Sequence, residues 1–311
     1  MKIFHRWSVL LASILLVAAA LVMWWEMRGE NATRRVDMGD LVTSEVEYPS
    51  DGFLRVAVAA MISPKETENS YFDLLRLIGQ RLGREVRSVQ RKTYAEVNEL
   101  LERREIDLAF VCSGPYVEGH KRFGMEIVAV PVVHGATTYH SYFIVGKDST
   151  IQNVEGLRGK RFAFTDPHSN TGYLVPNYVL RLRGESPESF FSETIFTHSH
   201  DNSIKAVADG LVDGAAVDSL IWEFMNATNP ADTSRTRIID KSPPYGIPPV
   251  VVHPGLDPNI KQRLHELFLH LHEDPEARPL LAHLQIERFV AGDDAMYDSV
   301  RQMQRELKAQ Q

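Results

Sequence analysis

The sequence is poor in cysteine and has no excess of basic residues. Its 311 residues include one cysteine, Cys112, which excludes an intramolecular disulfide and a Cys-rich zinc site. Lys and Arg number 34 against 41 Asp and Glu, a formal net charge of −7. Nucleic-acid-binding surfaces need clustered basic residues, so the composition argues against that function. With 44% hydrophobic residues, the chain can bury a core large enough for two domains.

Several motifs of enzymes and metal sites are also missing. The sequence contains no G-x-S-x-G, no Walker lysine motif and no H-E-x-x-H. His265, His270 and His272 are predicted to lie on different faces of a helix, and no third ligand accompanies His198 and His200. We therefore predict no metal, no cofactor and no enzymatic activity.

A long apolar run occupies the N-terminal region, where residues 7–25 carry no charge. At about 1.5 Å per residue such a run spans roughly 28 Å, close to the hydrocarbon core of a membrane. We predict that residues 1–28 form an uncleaved signal anchor, a transmembrane helix, and that residues 29–52 form a polar linker. A signal peptide cleaved near Ala18–Ala20 is the alternative.

From Phe53 onward, short β-rich runs alternate with segments of helical spacing. Strands are predicted at residues 53–58, 85–90, 106–111, 126–133, 139–145, 161–165, 193–196, 213–217 and 247–252. Helices are predicted between most of them and through much of the C-terminal region. This alternation indicates two α/β lobes with parallel sheets.

Small polar residues follow a predicted strand in each lobe. Cys112, Ser113 and Gly114 come after LAFV, and residues 169–172 come after FAFT. The carboxyl ends of parallel strands and the free N–H groups of a following helix form the usual ligand crevice of open α/β sheets. An oxyanion could bind there, but from residue type alone Ser169 and Thr171 fit helix capping, because Ser, Asn and Thr favour that place in any protein.

Several spaced motifs carry a resemblance to a known family. They are KTYAEV, IDLAFVCSGPYV, YHSYFIVGKDS, DPHSNTGYLVP, SHDNSIKAVADGLVDGAAVDS and KSPP, in this order between about Phe53 and Arg288. The sequence resembles the periplasmic phosphate/phosphite/phosphonate-binding proteins of ABC transporters. The resemblance implies a type II periplasmic-binding-protein fold, with two α/β lobes joined by a two-strand hinge. Lobe 1 would contain residues 53–140 and 246–311, and lobe 2 residues 141–245.

The resemblance also implies a ligand site. Residues 169–171 and the N–H groups leading into Gly172 would hold the oxyanion, while two tyrosines would donate phenolic hydrogen bonds from the other lobe. Relatives commonly have Ser-Thr-Ser where this sequence has Asn170 in the middle. Together with the strand-end pattern, the candidate ligand-binding residues are Tyr94, Cys112, Ser113, Gly114, Tyr139, Ser169, Asn170, Thr171, Gly172, His200 and Asp218. From residue type alone, Tyr94 and Tyr139 fit core aromatics and His200 a solvated loop histidine.

The resemblance narrows the ligand. Relatives that take aminoalkylphosphonates have a carboxylate two positions beyond Asp218 and another after KSPP, where this sequence has Leu220 and, approximately, Ile247. An ammonium group without an acidic partner would lose solvation uncompensated. The expected ligand is phosphite, phosphate or a phosphonate that carries no amine.

The family places the binding lobes outside the cytoplasmic membrane, where they would serve an ABC permease. A periplasmic protein held by an N-terminal helix could equally be the sensing partner of a membrane sensor kinase. Arsenite bound through the Cys112 thiolate is one form of that alternative, since thiolates are soft ligands. A hydrolase using Cys112 and His200 is a second alternative.

Overall fold

Two β-sheets organise residues 52–309, the part of the chain that the computed structural model describes. The strands are β1 (Phe53–Val58), β2 (Glu85–Val89), β3 (Leu108–Phe110), β4 (Glu126–Val132), β5 (Thr138–Tyr139), β6 (Ser141–Gly146), β7 (Arg161–Phe164), β8 (Glu193–Phe196), β9 (Gly214–Asp218), β10 (Thr236–Lys241), β11 (Tyr245–Gly246), β12 (Val250–Val252) and β13 (Arg288–Val290). The α-helices are α1 (Pro64–Leu82), α2 (Tyr94–Glu102), α3 (Ser113–Phe123), α4 (Val175–Arg181), α5 (Pro187–Phe190), α6 (His200–Ala208), α7 (Ser219–Thr228), α8 (Pro258–His270), α9 (Ala277–His283) and α10 (Asp298–Lys308). Asn170–Leu174 form one turn of π-helix before α4.

Each sheet contains both parallel and antiparallel strands. The first has the order β13-β4-β12-β3-β1-β2, and the second has the order β10-β6-β9-β7-β8. β1 runs parallel to β2 and β3, and β7 runs parallel to β8 and β9. β12 is antiparallel to β3 and β4, and β6 is antiparallel to β9 and β10. The prediction of parallel sheets is therefore wrong for β6 and β12. These strands come directly after the chain has crossed between the sheets, so they enter from the opposite side.

The crossings themselves pair with each other. β5 and β11 form a two-stranded antiparallel ladder in which Tyr139 faces Tyr245 and Thr138 faces Gly246. The Ile247 N–H donates to the Thr137 carbonyl at 3.0 Å and extends the contact. Both connections between the sheets thus run side by side.

Some strand and helix boundaries in the structure differ from the predicted ones. The strand predicted at 247–252 is only Val250–Val252, because Pro248 and Pro249 have no N–H to donate to a ladder. The run predicted at 139–145 splits between β5 and β6. The predicted helix beginning near Asn202 begins at His200.

Residues 1–28, the predicted anchor, and residues 29–51 of the predicted linker lie outside the described residues. Between residues 52 and 309, no helix combines the length and the apolar character needed to cross a membrane.

Local signals in the sequence position the elements that reach the contact between the sheets. α2 begins with a capping box, in which the Thr93 hydroxyl accepts from the Glu96 N–H and the Glu96 carboxylate accepts from the Thr93 N–H. This fixes Tyr94 in the first turn. β9, with the sequence GAAVD, is buried along its whole length, and its small residues allow close packing: a Cβ at Gly214 would lie 2.6 Å from Leu157 Cδ2. Asp218 ends this strand.

Candidate functional site

Buried polar groups from both sheets meet where the two sheets face each other. Tyr94 and Cys112 stand at the starts of α2 and α3, next to the first sheet. Residues 169–172 and His200 follow strands of the second sheet, and Asp218 ends its strand β9. Their side chains are at most 1% exposed, whereas the alternative of a solvated loop histidine predicts exposure. The histidine is therefore not a solvated loop residue.

Most of the unpaired buried polar atoms fall in this region. Eight buried side-chain atoms among residues 52–309 have no hydrogen-bond partner, and six of them belong to residues that we call the polar cluster. The cluster atoms are Tyr94 Oη, Asn170 Oδ1, Thr171 Oγ1, Ser199 Oγ, His200 Nε2 and Asp218 Oδ2. An unpaired buried polar group costs about 1–3 kcal/mol, so proteins carry few of them. A concentration of such atoms in one place indicates that a ligand supplies the missing partners.

His200 presents a hydrogen-bond donor. The backbone N–H of Asp218 donates to His200 Nδ1 at 3.1 Å, so Nδ1 carries a lone pair and the ring proton resides on Nε2. Burial lowers the pKa of His200 to about 3, which keeps the ring neutral. The unpaired Nε2–H is therefore available to an acceptor such as an oxyanion.

Gly172 lets the turn that precedes α4 lie against this ring. A Cβ on Gly172 would lie 2.4 Å from Thr165 Oγ1 and 3.1 Å from His200 Cε1. Thr165 Oγ1 is itself 3.1 Å from His200 Nδ1. Close packing thus requires glycine at this position.

Asp218 presents one unpaired carboxyl oxygen. Its Oδ1 accepts from the Leu220 N–H at 2.8 Å and caps α7, while Oδ2 has no partner. Burial raises the pKa of Asp218 to about 7, against the lowering effect of the backbone N–H groups of Leu220 and Ile221. Near neutral pH a large fraction of this carboxyl group is protonated and can donate to a ligand oxygen.

The turn at 169–172 divides its polar groups between capping and the cluster. Ser169 Oγ accepts from the Gly172 N–H at 3.0 Å, so the capping explanation fits Ser169. Asn170 Nδ2 donates to the Tyr139 hydroxyl at 3.1 Å, which leaves Asn170 Oδ1 unpaired. The Thr171 carbonyl accepts from Ser141 Oγ, but the Thr171 hydroxyl has no partner and makes no cap.

Tyr94, Tyr139 and Cys112 form the opposite side of the site. Burial raises the pKa of both tyrosines well above 10, so their hydroxyls remain protonated. The Cys112 sulfur lies 3.7 Å from the Tyr139 hydroxyl. Burial also raises the pKa of the Cys112 thiol, although the backbone N–H of Asn170 opposes the rise. Cys112 therefore contributes a neutral thiol to this side of the site.

Ser113 and Gly114 are close to the site but make structural contacts. The Ser113 hydroxyl donates to the Gly246 carbonyl at 2.6 Å and so holds α3 against β11. A Cβ on Gly114 would lie 2.4 Å from the His168 carbonyl oxygen and 3.3 Å from the Asn170 nitrogen. Glycine is what allows α3 to approach the turn of the other sheet.

Sequence reasoning missed Asp166, Thr165 and Ser199. Asp166 is fully buried and joins the two sides, since its carboxylate accepts from the Tyr94 N–H at 3.2 Å and from the His168 N–H at 2.8 Å. Its position directly after the apolar run FAFT was the available signal. Ser199 Oγ belongs to the polar cluster and precedes His200.

Comparison with known proteins identifies the family. The model of the ABC transporter phosphonate periplasmic substrate-binding proteins matches residues 56–297. The chain belongs to this family. The resemblance noted from the sequence motifs is therefore confirmed, as is the α/β periplasmic-binding-protein fold.

Individual relatives show the same relationship. The chain is 26% identical over 255 residues to the phosphonates-binding periplasmic protein of Escherichia coli K12, covering 80% of this chain and 75% of that protein. It is 27% identical over 238 residues to the phosphate-import protein of Mycolicibacterium smegmatis, covering 70% and 73%. A crystal structure of a binding protein of a Pseudomonas aeruginosa ABC phosphonate transporter superimposes with a TM-score of 0.77 at 28% identity, covering 81% and 85%. The family is one of ABC transporter substrate-binding proteins, and these relatives give no support to the sensor, arsenite or hydrolase alternatives.

Proposed function

We propose that this substrate-binding protein encloses one phosphonate, phosphite or phosphate ion between two lobes and delivers it to an ABC permease, without chemistry on the ligand. The six unpaired buried atoms of the polar cluster carry this proposal. The names of the relatives support it, because one is named for phosphonates and another for phosphate. The predicted ligand residues fit the proposal in different ways. The polar cluster would contact the ion, while Ser113, Gly114, Ser169 and Gly172 would shape the site.

Neutral donors would hold the anion. Neither Lys nor Arg belongs to the polar cluster, but the Tyr94 hydroxyl, the Thr171 hydroxyl and the His200 Nε2–H can all donate. Fixed dipoles in a dry site stabilise an anion without a mobile cation. Asn170 Oδ1 can only accept, so it fits a protonated oxygen of a monoanionic ligand.

The lobes that would close on the ligand are residues 53–140 with 246–311, and residues 141–245, with β5 and β11 as the hinge. Two hydrogen bonds between the lobes support closure, since the His200 N–H donates to the Met61 carbonyl at 3.0 Å and the Ser63 N–H donates to Asp201 Oδ1 at 2.9 Å. A ligand bonded to both sides would favour this closed arrangement.

A periplasmic location follows from the proposed role, and we propose that residues 1–28 anchor the protein to the cytoplasmic membrane. The uncharged run at residues 7–25 supports this proposal. Membrane fractionation tests it: the protein should need detergent for release, and release by salt alone would favour the cleaved signal peptide.

Calorimetric titration of the detergent-solubilised protein with phosphite, methylphosphonate, phosphate, sulfate and arsenite tests the ligand class. We expect saturable binding of at least one phosphorus oxyanion. Thr171→Ala should weaken that binding about 10-fold to 100-fold, because a hydrogen bond to a charged group contributes about 1.5–3 kcal/mol. Thr171→Ser, which keeps the hydroxyl, is the matched control and should retain most of the affinity.

Thermal unfolding separates binding from capping. Because the Thr171 hydroxyl has no partner in the protein, Thr171→Ala should leave stability nearly unchanged. A stability loss of about 1 kcal/mol with unchanged affinity would instead support capping. Binding of arsenite alone, abolished by Cys112→Ser, would refute the proposed ligand class.

A further inference from the structure

An apolar pocket adjoins the polar cluster. Met61, Ile62 and Phe110 contribute to one side of it, and Leu220, Ile221 and Phe224 of α7 contribute to the other. The edge-on contact between Tyr71 and Phe110, with ring centroids 5.5 Å apart, stiffens the first side. At 5.9 Å, the ring contact between Phe224 and His283 joins α7 to α9 beside the pocket. The cavity measures about 80 Å³.

Asp218 belongs to both the polar cluster and the apolar pocket. Asp218 therefore lies at the junction of the two. Met61 also connects them, because its carbonyl accepts from the His200 N–H. A substituent carried by an oxyanion in the cluster would therefore have the pocket beside it at Asp218.

The pocket offers few partners to a polar or charged substituent. Among its lining residues, polar side chains come from Ser70, Tyr71, Asp218 and Gln285, and none is a Lys, Arg or Glu. Water in such a space makes few hydrogen bonds, and an apolar group that displaces it gains the free energy of burial. Phosphate and phosphite have no group to place there.

We propose that this pocket receives the organic substituent of the ligand, and that the protein is selective for alkylphosphonates with a short apolar chain. The inference rests on the proposed function of the polar cluster as the oxyanion site. An apolar cavity of roughly 150 Å³ accommodates benzene, so a cavity about half as large fits a chain of about two to four carbon atoms. Continuity through Asp218 identifies the occupant as part of the bound ligand.

Titration of the full-length protein with phosphite, phosphate, methylphosphonate and propylphosphonate tests the inference. Burial of a methylene group contributes a factor of about four in affinity, so propylphosphonate, which has two more of them, should bind about 15-fold more tightly than methylphosphonate. 2-Aminoethylphosphonate has the same number of heavy atoms as propylphosphonate, and at pH 6, where the Asp218 carboxyl group is mostly protonated, it should bind more weakly. If methylphosphonate binds but propylphosphonate binds less well, or the amine binds best, the inference fails while the proposed function stands. If no phosphorus oxyanion binds, the proposed function fails.

Variants of Leu220 locate the effect. Leu220→Asp places a carboxylate in the pocket and should reverse the preference between propylphosphonate and 2-aminoethylphosphonate, whereas Leu220→Met should keep it. Because both ligands are measured on the same variant, the ratio of their affinities is unaffected by a change that weakens both equally. An unchanged ratio in Leu220→Asp, with binding intact, would show that the substituent lies elsewhere.

Discussion

Burial moves the pKa values of His200 and Asp218 in opposite directions. It lowers the pKa of His200 to about 3 and raises that of Asp218 to about 7, because in each case a buried charge loses its hydration. On the acid side of neutrality both groups are therefore uncharged in the folded protein. An oxyanion then meets two neutral groups, each able to donate a hydrogen bond.

His200 should make the protein sensitive to acid. Its folded pKa lies below the unfolded value of about 6.5, so its contribution to stability is present above pH 6.5 and is lost as the pH falls toward 3. By pH 4.5 the loss should reach about 2 to 3 kcal/mol. Urea unfolding at pH 7 and pH 4.5 measures this loss. The difference in the free energy of unfolding between the two pH values should change by this amount in His200→Gln.

Asp218 provides a control, because its effect on the pH dependence of stability has the opposite sign. Its raised pKa makes the folded state bind more protons between about pH 4 and pH 7, so its contribution to stability should increase as the pH falls through this range. Asp218→Asn should remove that contribution. Identical pH dependence in the wild-type protein and both variants would contradict the assignment of these pKa values.

At the scale of secondary-structure elements, the site depends on helix starts that approach each other closely. α3 begins directly after β3, and the turn 169–172 follows β7 after a short connection. The first turn of α3 reaches the carbonyl of His168 only because residue 114 has no side chain. Close contact at this point is a requirement for closure of the proposed lobes.

Gly114→Ala should hinder closure. A Cβ there would lie 2.4 Å from a backbone oxygen of the other sheet, a contact that a flexible side chain cannot relieve. We expect ligand affinity to fall at least about tenfold, as measured by calorimetry, because closure would lose contacts made by both sides.

Gly119→Ala on the same helix is the matched control. Its Cβ would meet the flexible end of Met125, 2.3 Å from Cε, within one sheet's own core. This variant should change the free energy of unfolding and leave the affinity within about twofold. Equal affinity losses in the two variants would contradict a role for Gly114 in closure.

At the scale of the whole molecule, an ion pair on the outer side of the site also joins the two sides. His168 Nδ1 lies 2.8 Å from Glu118 Oε2. The hydrogen bond to Glu118, together with that carboxylate's charge and that of Asp166, raises the pKa of His168 against the effects of partial burial and of Arg122. The hydrogen bond to His168 lowers the pKa of Glu118 despite partial burial. The pair should therefore favour the closed arrangement when His168 is protonated.

Glu118→Gln should weaken ligand binding at pH 6 but not at pH 9. The raised pKa means that the contribution is present at low pH and is lost as the pH rises through the folded pKa of His168. Both side chains are more than a third exposed, so solvent limits the effect to about 1 kcal/mol, or roughly fivefold in affinity. The affinity ratio between wild type and variant cancels titration of the ligand itself. A ratio that does not change with pH would contradict the role of the pair.

The local parts of the fold and site could be predicted from the sequence. β1 has the predicted bounds, and several other strands differ from prediction by one or a few residues, because apolar patterning and turn residues act locally. The polar residues after FAFT and the cap at Ser169 were also visible in the sequence. The order and spacing of the motifs were enough to identify the family, which the family comparison confirms.

Only the tertiary structure shows which of these distant segments contact each other to form the site. Tyr94 contacts Asp166 across 72 positions and Ser63 contacts Asp201 across 138, and no local pattern specifies such pairs. The reversed directions of β6 and β12 follow from where the chain crosses between the sheets. Packing between distant segments decides which polar atoms stay unpaired and places Asp218 beside an apolar pocket. Neither feature can be predicted locally, because burial and missing partners are properties of the assembled interior.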